Sequence, residues 1–179
     1  WTSRNYRRLA EEGYRKNVIV HRCVRLIAES AASVPWRLTR NGKAIDRHPL
    51  LDLLNRPNPM EAGKALFENF YAFLSIAGDS YLEMVTAADG APAELYVLRP
   101  DRMKVIPGPN GWPRAYRYEA GSQVHDFAVD QLTGQSAVLH MKTFNPLDET
   151  YGMSPLEAAA FGIDIHNAAS GWNKALFDN

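Results

Sequence analysis

The spacing of apolar residues changes period twice along this 179-residue chain. Up to residue 77 they recur at three- and four-residue steps, the repeat of an amphipathic helix. From residue 79 to about 143 they alternate, the repeat of a half-buried strand. From residue 154 the helical step returns. A pattern of one period does not sit in the other structure, so the order is helices, short strands, helix. Short turns join strands antiparallel, and helices segregated from them make an α+β fold with small antiparallel sheets. The expected regions are helical over 1–35 and 48–78, β-rich over 79–143 and helical over 154–177. No internal repeat or low-complexity segment divides them, so 1–179 reads as one region.

Local signals refine this outline. Tyr6, Leu9 and Gly13 fall on one side of a first helical stretch, and Gly13 predicts a break. In the second stretch Val20, Cys23, Val24, Ile27, Ala28 and Ala31 form a stripe, with Arg22, Arg25 and Glu29 off it. Cys23 is therefore expected to be a small buried hydrophobe rather than a reactive thiol. Pro35 ends the helix, because the residue before proline avoids the helical region. Residues 36–40 alternate as a strand, Asn41-Gly42 turns the chain, and residues 43–45 return as its partner. His48 precedes a short helix with Pro49 at its first position. Pro57, Asn58 and Pro59 stiffen the next turn. Leu66, Phe67, Phe70, Tyr71, Phe73 and Leu74 give the helix of residues 61–77 a wide apolar face, read as core, and Gly78 is its C-cap. Strands are expected at 79–85, 94–98, 102–106, 114–119, about 124–127 and 137–141. Ser154-Pro155-Leu156-Glu157 is a capping box, with Ser154 taking the Glu157 amide and Glu157 reaching back. The helix it opens runs through Ala158, Phe161, Ile165, Ala168, Trp172 and Leu176.

Composition excludes several classes. Hydrophobic residues are 46% and charged residues 22%, normal for a packed globular chain. A single cysteine rules out an internal disulfide framework and a cysteine zinc site. No apolar run approaches the roughly 18 residues of a membrane span, and no signal peptide is present. Residue 1 is Trp, and the helical pattern still runs at Asn179, so a piece of a longer product is expected. Lys+Arg and Asp+Glu are 20 each, but they are unevenly spread. Residues 1–47 carry eleven basic and four acidic residues, and residues 148–179 carry one basic and five acidic. Such asymmetry suits a nucleic-acid face, a complementary subunit contact or a solvated helix face.

The chemistry-bearing motifs are missing. There is no phosphate-cradling glycine loop, no G-x-S-x-G and no H-E-x-x-H. His125 and Asp126 could join His140 across strands as metal ligands, but that spacing is generic. His140, at the end of an apolar strand, reads as structural or capping rather than as a base. Neither a catalytic site, a metal nor a cofactor is assigned.

One ordered set of segments runs through Asn17-Val18-Ile19-Val20, Val34-Pro35-Trp36, His48-Pro49-Leu50-Leu51 and Arg56-Pro57-Asn58-Pro59. It continues through Ala77-Gly78-Asp79-Ser80-Tyr81, Leu98-Arg99-Pro100, Val138-Leu139-His140 and Gly152-Met153-Ser154-Pro155-Leu156. In this order the segments resemble the HK97-type portal proteins of tailed bacteriophages, a family that includes prophage and gene-transfer-particle portals. The resemblance implies a non-enzymatic subunit of a dodecameric ring at a capsid vertex. Such a ring is the channel for DNA packaging and ejection and the attachment point for neck and tail. The implied partners are copies of itself, terminase, the major capsid protein, head–tail connector proteins and double-stranded DNA, with no membrane. The implied locations are the virion and, during assembly, the host cytoplasm. The match is to the N-terminal, wing-like part of the family, which leaves stem, clip and crown outside this chain. In a ring, Arg4, Arg7, Arg8 and Arg15 become possible subunit or DNA contacts. Two other readings stand beside this one: a nucleic-acid-binding module using the basic N-terminal segment, and an enzyme with an unrecognised site.

Overall fold

The computed structural model describes residues 5–109 and 111–178. Its order is helices, three small antiparallel sheets and a final helix, as the periods require. Helix α1 (Tyr6–Arg8) runs into a π-helical segment, Leu9–Arg15, and α2 covers Val18–Ala32. A two-stranded hairpin follows, β1 (Leu38–Arg40) with β2 (Lys43–Ile45), then α3 (Pro49–Asn55) and α4 (Gly63–Ala77). Strands β3 (Asp79–Thr86), β4 (Pro92–Leu98) and β8 (Val138–Lys142) form one sheet in the order β4-β3-β8. Strands β5 (Met103–Pro107), β6 (Pro113–Ala120) and β7 (Gln123–Ala128) form another in chain order. Helix α5 spans Pro155–Phe177.

Three apolar clusters hold these pieces. Leu9, Val24, Ile76, Leu156 and Ile163 bring the π-helical segment, α2, α4 and α5 together. Tyr81, Leu98, Met103, Phe127 and Val138 fill the space between the two three-stranded sheets. Leu66, Phe67 and Leu95 seat α4 against β4. Leu66 is fully buried, and burying such a side chain stabilises by about 1.5–3 kcal/mol. Among the described residues, no helix is long and apolar enough to cross a membrane.

Three local expectations need correction. Cys23 is exposed, and Ile27 is 57% exposed. Only Val24 and Ala28 of α2 are fully buried, with Val20 half-buried beside them. These three follow a strict four-residue step, whereas Cys23 lies about 100° round the helix from Val24. The packed strip is narrower than the apolar stripe. Second, the helix breaks at Asn17, not at Gly13. Asn17 Oδ1 accepts the Ile19 and Val20 amides at 3.1 Å and starts α2 afresh. Gly13 lies within the π-helical segment, where a Cβ would stand 3.3 Å from Leu156 Cδ1, so it makes room for α5. Third, Ser154 Oγ accepts the Leu156 amide at 3.1 Å, and the Glu157 amide goes to the Ser154 carbonyl at 3.0 Å. Ser154 caps α5, but one residue earlier than a capping box requires. In α5, which runs through the expected residues, Phe161, Ile165, Trp172 and Leu176 face outward, while Leu156 and Ile163 on the opposite side are buried.

Candidate assembly surface

The conformation of Gly78 begins the site. Helix α4 ends there in the left-handed region, φ +81°, which a glycine enters without steric cost. The chain then turns directly into β3. Much later it crosses the same point: a Cβ on Gly152 would lie 2.0 Å from the Gly78 carbonyl oxygen, and a Cβ on Gly78 would lie 2.5 Å from the Met153 carbonyl carbon. Two glycines therefore let two stretches of backbone touch.

Polar groups fasten this crossing. The Gly78 carbonyl accepts the Thr143 amide at 2.8 Å and the Thr143 hydroxyl at 3.1 Å. Asp79 Oδ1 accepts the Gly152 amide at 2.8 Å and lies 2.8 Å from His140 Nε2. Ser154 Oγ donates to the Ile76 carbonyl at 2.6 Å while its lone pairs cap α5. The His140 ring stacks on Tyr81 at 4.3 Å and meets the edge of Tyr116 at 5.8 Å. Burial, and then the nearby Asp79 carboxylate, push the Tyr81 hydroxyl above the ordinary tyrosine range, so it stays neutral. Gly78, Tyr81, His140, Gly152, Ser154 and Pro155 thus meet at one junction where α4, the β4-β3-β8 sheet and α5 join. His140 sits there between a carboxylate and two aromatic rings.

A second fastening lies further along α5. Asn17 Nδ2 donates to Asn167 Oδ1 at 3.1 Å and lies 3.1 Å from His166 Nδ1, and Asn167 Nδ2 donates to the Glu12 carbonyl at 2.8 Å. Helix α5 is thereby held from Ser154 to Asn167. From residue 168 to 178 every described residue is exposed. On the outer face Ile165 is 53%, Trp172 66% and Leu176 57% exposed. Large apolar side chains are thus aligned on one exposed helix face.

The remaining selected residues lie elsewhere. Arg4 is outside the described residues. Arg7 pairs with Glu11 at 3.1 Å and Arg8 with Glu12 at 3.8 Å, both one turn along the same helical segment. The Arg7 hydrogen bond holds the Glu11 carboxyl below its usual range. Arg15 is exposed at the end of that segment. His48 Nδ1 accepts the Leu50 amide and caps α3, whose first residue is Pro49. The buried Pro57 and Asn58 pin the turn before α4 to β4, because the Leu95 amide bonds Pro57 and Asn58 Nδ2 bonds the Leu95 carbonyl. Pro59 follows in that turn, Pro35 follows α2, and Pro100 opens a single 3₁₀ turn. His125 and Asp126 do not meet His140. His125 packs on Phe127 within β7, Asp126 binds Arg117, and His140 belongs to the other sheet. Sequence reasoning missed Asn167, Thr143 and Asp79, whose roles depend on partners far along the chain.

Comparison with known proteins places this architecture. An uncharacterised protein of Rickettsia bellii is 38% identical over 174 residues, which is 96% of this chain and 44% of that protein. One of Rickettsia felis is 39% identical over 170 residues, 94% of this chain and 43% of that protein. Among solved structures, a chain from the neck of an empty GTA particle computed with C6 symmetry superimposes with a TM-score of 0.89 at 42% identity. It is covered over 47% of its length by 100% of this chain. A chain from the virion of a native gene transfer agent (GTA) particle matches with a TM-score of 0.86, and one from the neck of a native GTA particle computed with C12 symmetry with 0.85. The chain spans less than half the length of these relatives. The family model for phage portal protein matches residues 18–179, from the first residue of α2 through the junction and α5, and the chain belongs to that family.

Proposed function

We propose that residues 1–179 are the wing-like part of a portal subunit, one member of a ring at the vertex of a phage-type or gene-transfer particle. Stem, clip and crown are assigned to residues outside this chain. The observation that carries the reading is the superposition of the whole chain, at 42% identity and a TM-score of 0.89, on a chain from a GTA neck. The ring passes double-stranded DNA during packaging and ejection and holds neck and tail. Its partners are further copies of the subunit, terminase, the major capsid protein and connector proteins. It works in the virion after assembling in the host cytoplasm, and it has no catalytic role.

The outer face of α5 is the part of this chain that meets the neighbouring copy. Ile165, Trp172 and Leu176 give it apolar area, and the two fastenings fix its direction. A ring contact joins two different faces, so this helix need not match itself. The test is electron microscopy of the full-length protein. Rings with a central hole are expected, and Trp172→Glu with Leu176→Glu should leave folded subunits that no longer close. Rings that form equally well with both changes would remove α5 from the contact. A wild-type protein that never forms rings would remove the portal reading itself.

A further inference from the structure

The β1–β2 hairpin sets two basic residues directly opposite each other. Arg40 and Lys43 stand directly opposite each other in its register, on either side of the turn made by Asn41 (φ 53°) and Gly42 (φ 76°). Like charges directly opposite across two strands destabilise the pair. Lys104 likewise stands opposite Arg117 in the β5–β6 register, but there each has an acid beside it: Arg117 binds Asp126 at 2.7 Å and Lys104 binds Glu119 at 2.6 Å. Arg37 and Arg47 flank the hairpin, and both they and the opposed pair are exposed. Among the described residues none of these four makes an ion pair or a side-chain hydrogen bond. The hairpin is a sheet of its own. At its base Trp36 packs on Phe67 at 5.1 Å, and Leu38 and Ile45 are half-buried. The exposed ribbon thus carries a repulsion that no ion pair among the described residues relieves.

We propose that the tip of this hairpin is a binding site for the phosphodiester backbone of double-stranded DNA, with Arg40 and Lys43 on neighbouring phosphates. Closely spaced cations suit a ligand whose anions recur every few ångströms, and a duplex carries one charge per about 1.7 Å of axis. A two-stranded ribbon is also narrow enough to lie against a duplex groove. The contact is electrostatic and independent of base sequence. It rests on the reading that the subunit works beside DNA, and it is distinct from the ring contact on α5. The site differs from Arg7 and Arg8, whose charges are already matched by Glu11 and Glu12.

The experiment is fluorescence anisotropy of the full-length protein with a mixed-sequence duplex of about 30 base pairs, across roughly 50–200 mM salt. R40E/K43E should bind about tenfold more weakly, and its slope of log affinity against log salt should be shallower by about 2. R40Q/K43Q, which adds no acid, should lose less. R40E alone should weaken binding and yet raise the thermal midpoint, because it places a carboxylate opposite Lys43. Unchanged affinity and slope in R40E/K43E would overturn the proposal. So would loss of poly-glutamate binding with duplex binding intact, which would point to an acidic protein surface instead. Electron microscopy of the same variants separates the two readings: rings that persist while duplex affinity falls support the hairpin site, whereas absent wild-type rings count against the portal reading alone.

Discussion

Asp79 and Gly152 are 73 positions apart, yet the carboxylate of one receives the amide of the other at 2.8 Å. The same oxygen lies 2.8 Å from His140 Nε2, and both Asp79 and His140 have little solvent contact. Asp79→Ala leaves the Gly152 amide and the His140 ring nitrogen without their partner. A buried group stripped of its hydrogen bond costs about 1–3 kcal/mol. Urea unfolding should show a loss of that size, and amide exchange near Gly152 should quicken.

Ser154 serves two elements at once. Its hydroxyl donates to Ile76 at the end of α4 and caps α5 through Leu156. Ser154→Ala removes both bonds and should destabilise by about 1–2 kcal/mol, at or above an ordinary N-cap loss. Ser154→Thr keeps the hydroxyl, but its extra methyl enters a fully buried position, so a midpoint between wild type and alanine is expected. An alanine variant as stable as wild type would show that the cap carries no weight.

Gly152→Ala tests the backbone crossing. The added Cβ would lie 2.0 Å from the Gly78 carbonyl oxygen, and backbone cannot yield as a flexible side chain does. Overpacking commonly costs about 1–3 kcal/mol, and this contact belongs at the upper end. Thermal unfolding should place this variant below Ser154→Ala.

Cys23 offers the simplest chemical check. It is exposed on α2, away from Val24 and Ala28. The subunit should take up one thiol reagent per chain without denaturant. Cys23→Ser should change stability by no more than about 0.5 kcal/mol, the usual range for a surface position.

Element order was legible because period is a local property. The strands observed at Asp79–Thr86 and Val138–Lys142 lie within a residue or so of those expected from alternation. The cap at Gly78 was legible for the same reason, since it acts within one turn of itself; that His48 caps α3 through its ring nitrogen was not read. Which side of a helix packs is not local. Helix α2 has apolar residues on two flanks, and the flank of Val20, Val24, Ala28 and Ala32 turns inward while Cys23 and Ile27 stay exposed. Helix α5 shows the same ambiguity reversed, since its most continuous stripe, through Ile165 and Trp172, faces out. The junction was legible only in parts. Gly78 and Ser154 each announced a helix end, but nothing in either segment says that the two ends touch.

Helix α5 acts as a lever. Its 23 residues extend about 34 Å, its first turns are clamped between Ser154 and Asn167, and the rest stands clear. A tilt of about 5° at the clamped end would swing the far tip by about 3 Å over that length. An error of that size is comparable to a side-chain contact, and the proposed ring would repeat it at every joint. In the proposed ring, the stiffness of the hydrogen bonds among Ile76, Asp79, Gly152 and Ser154 would set the angular tolerance of the circle, far from the proposed contact.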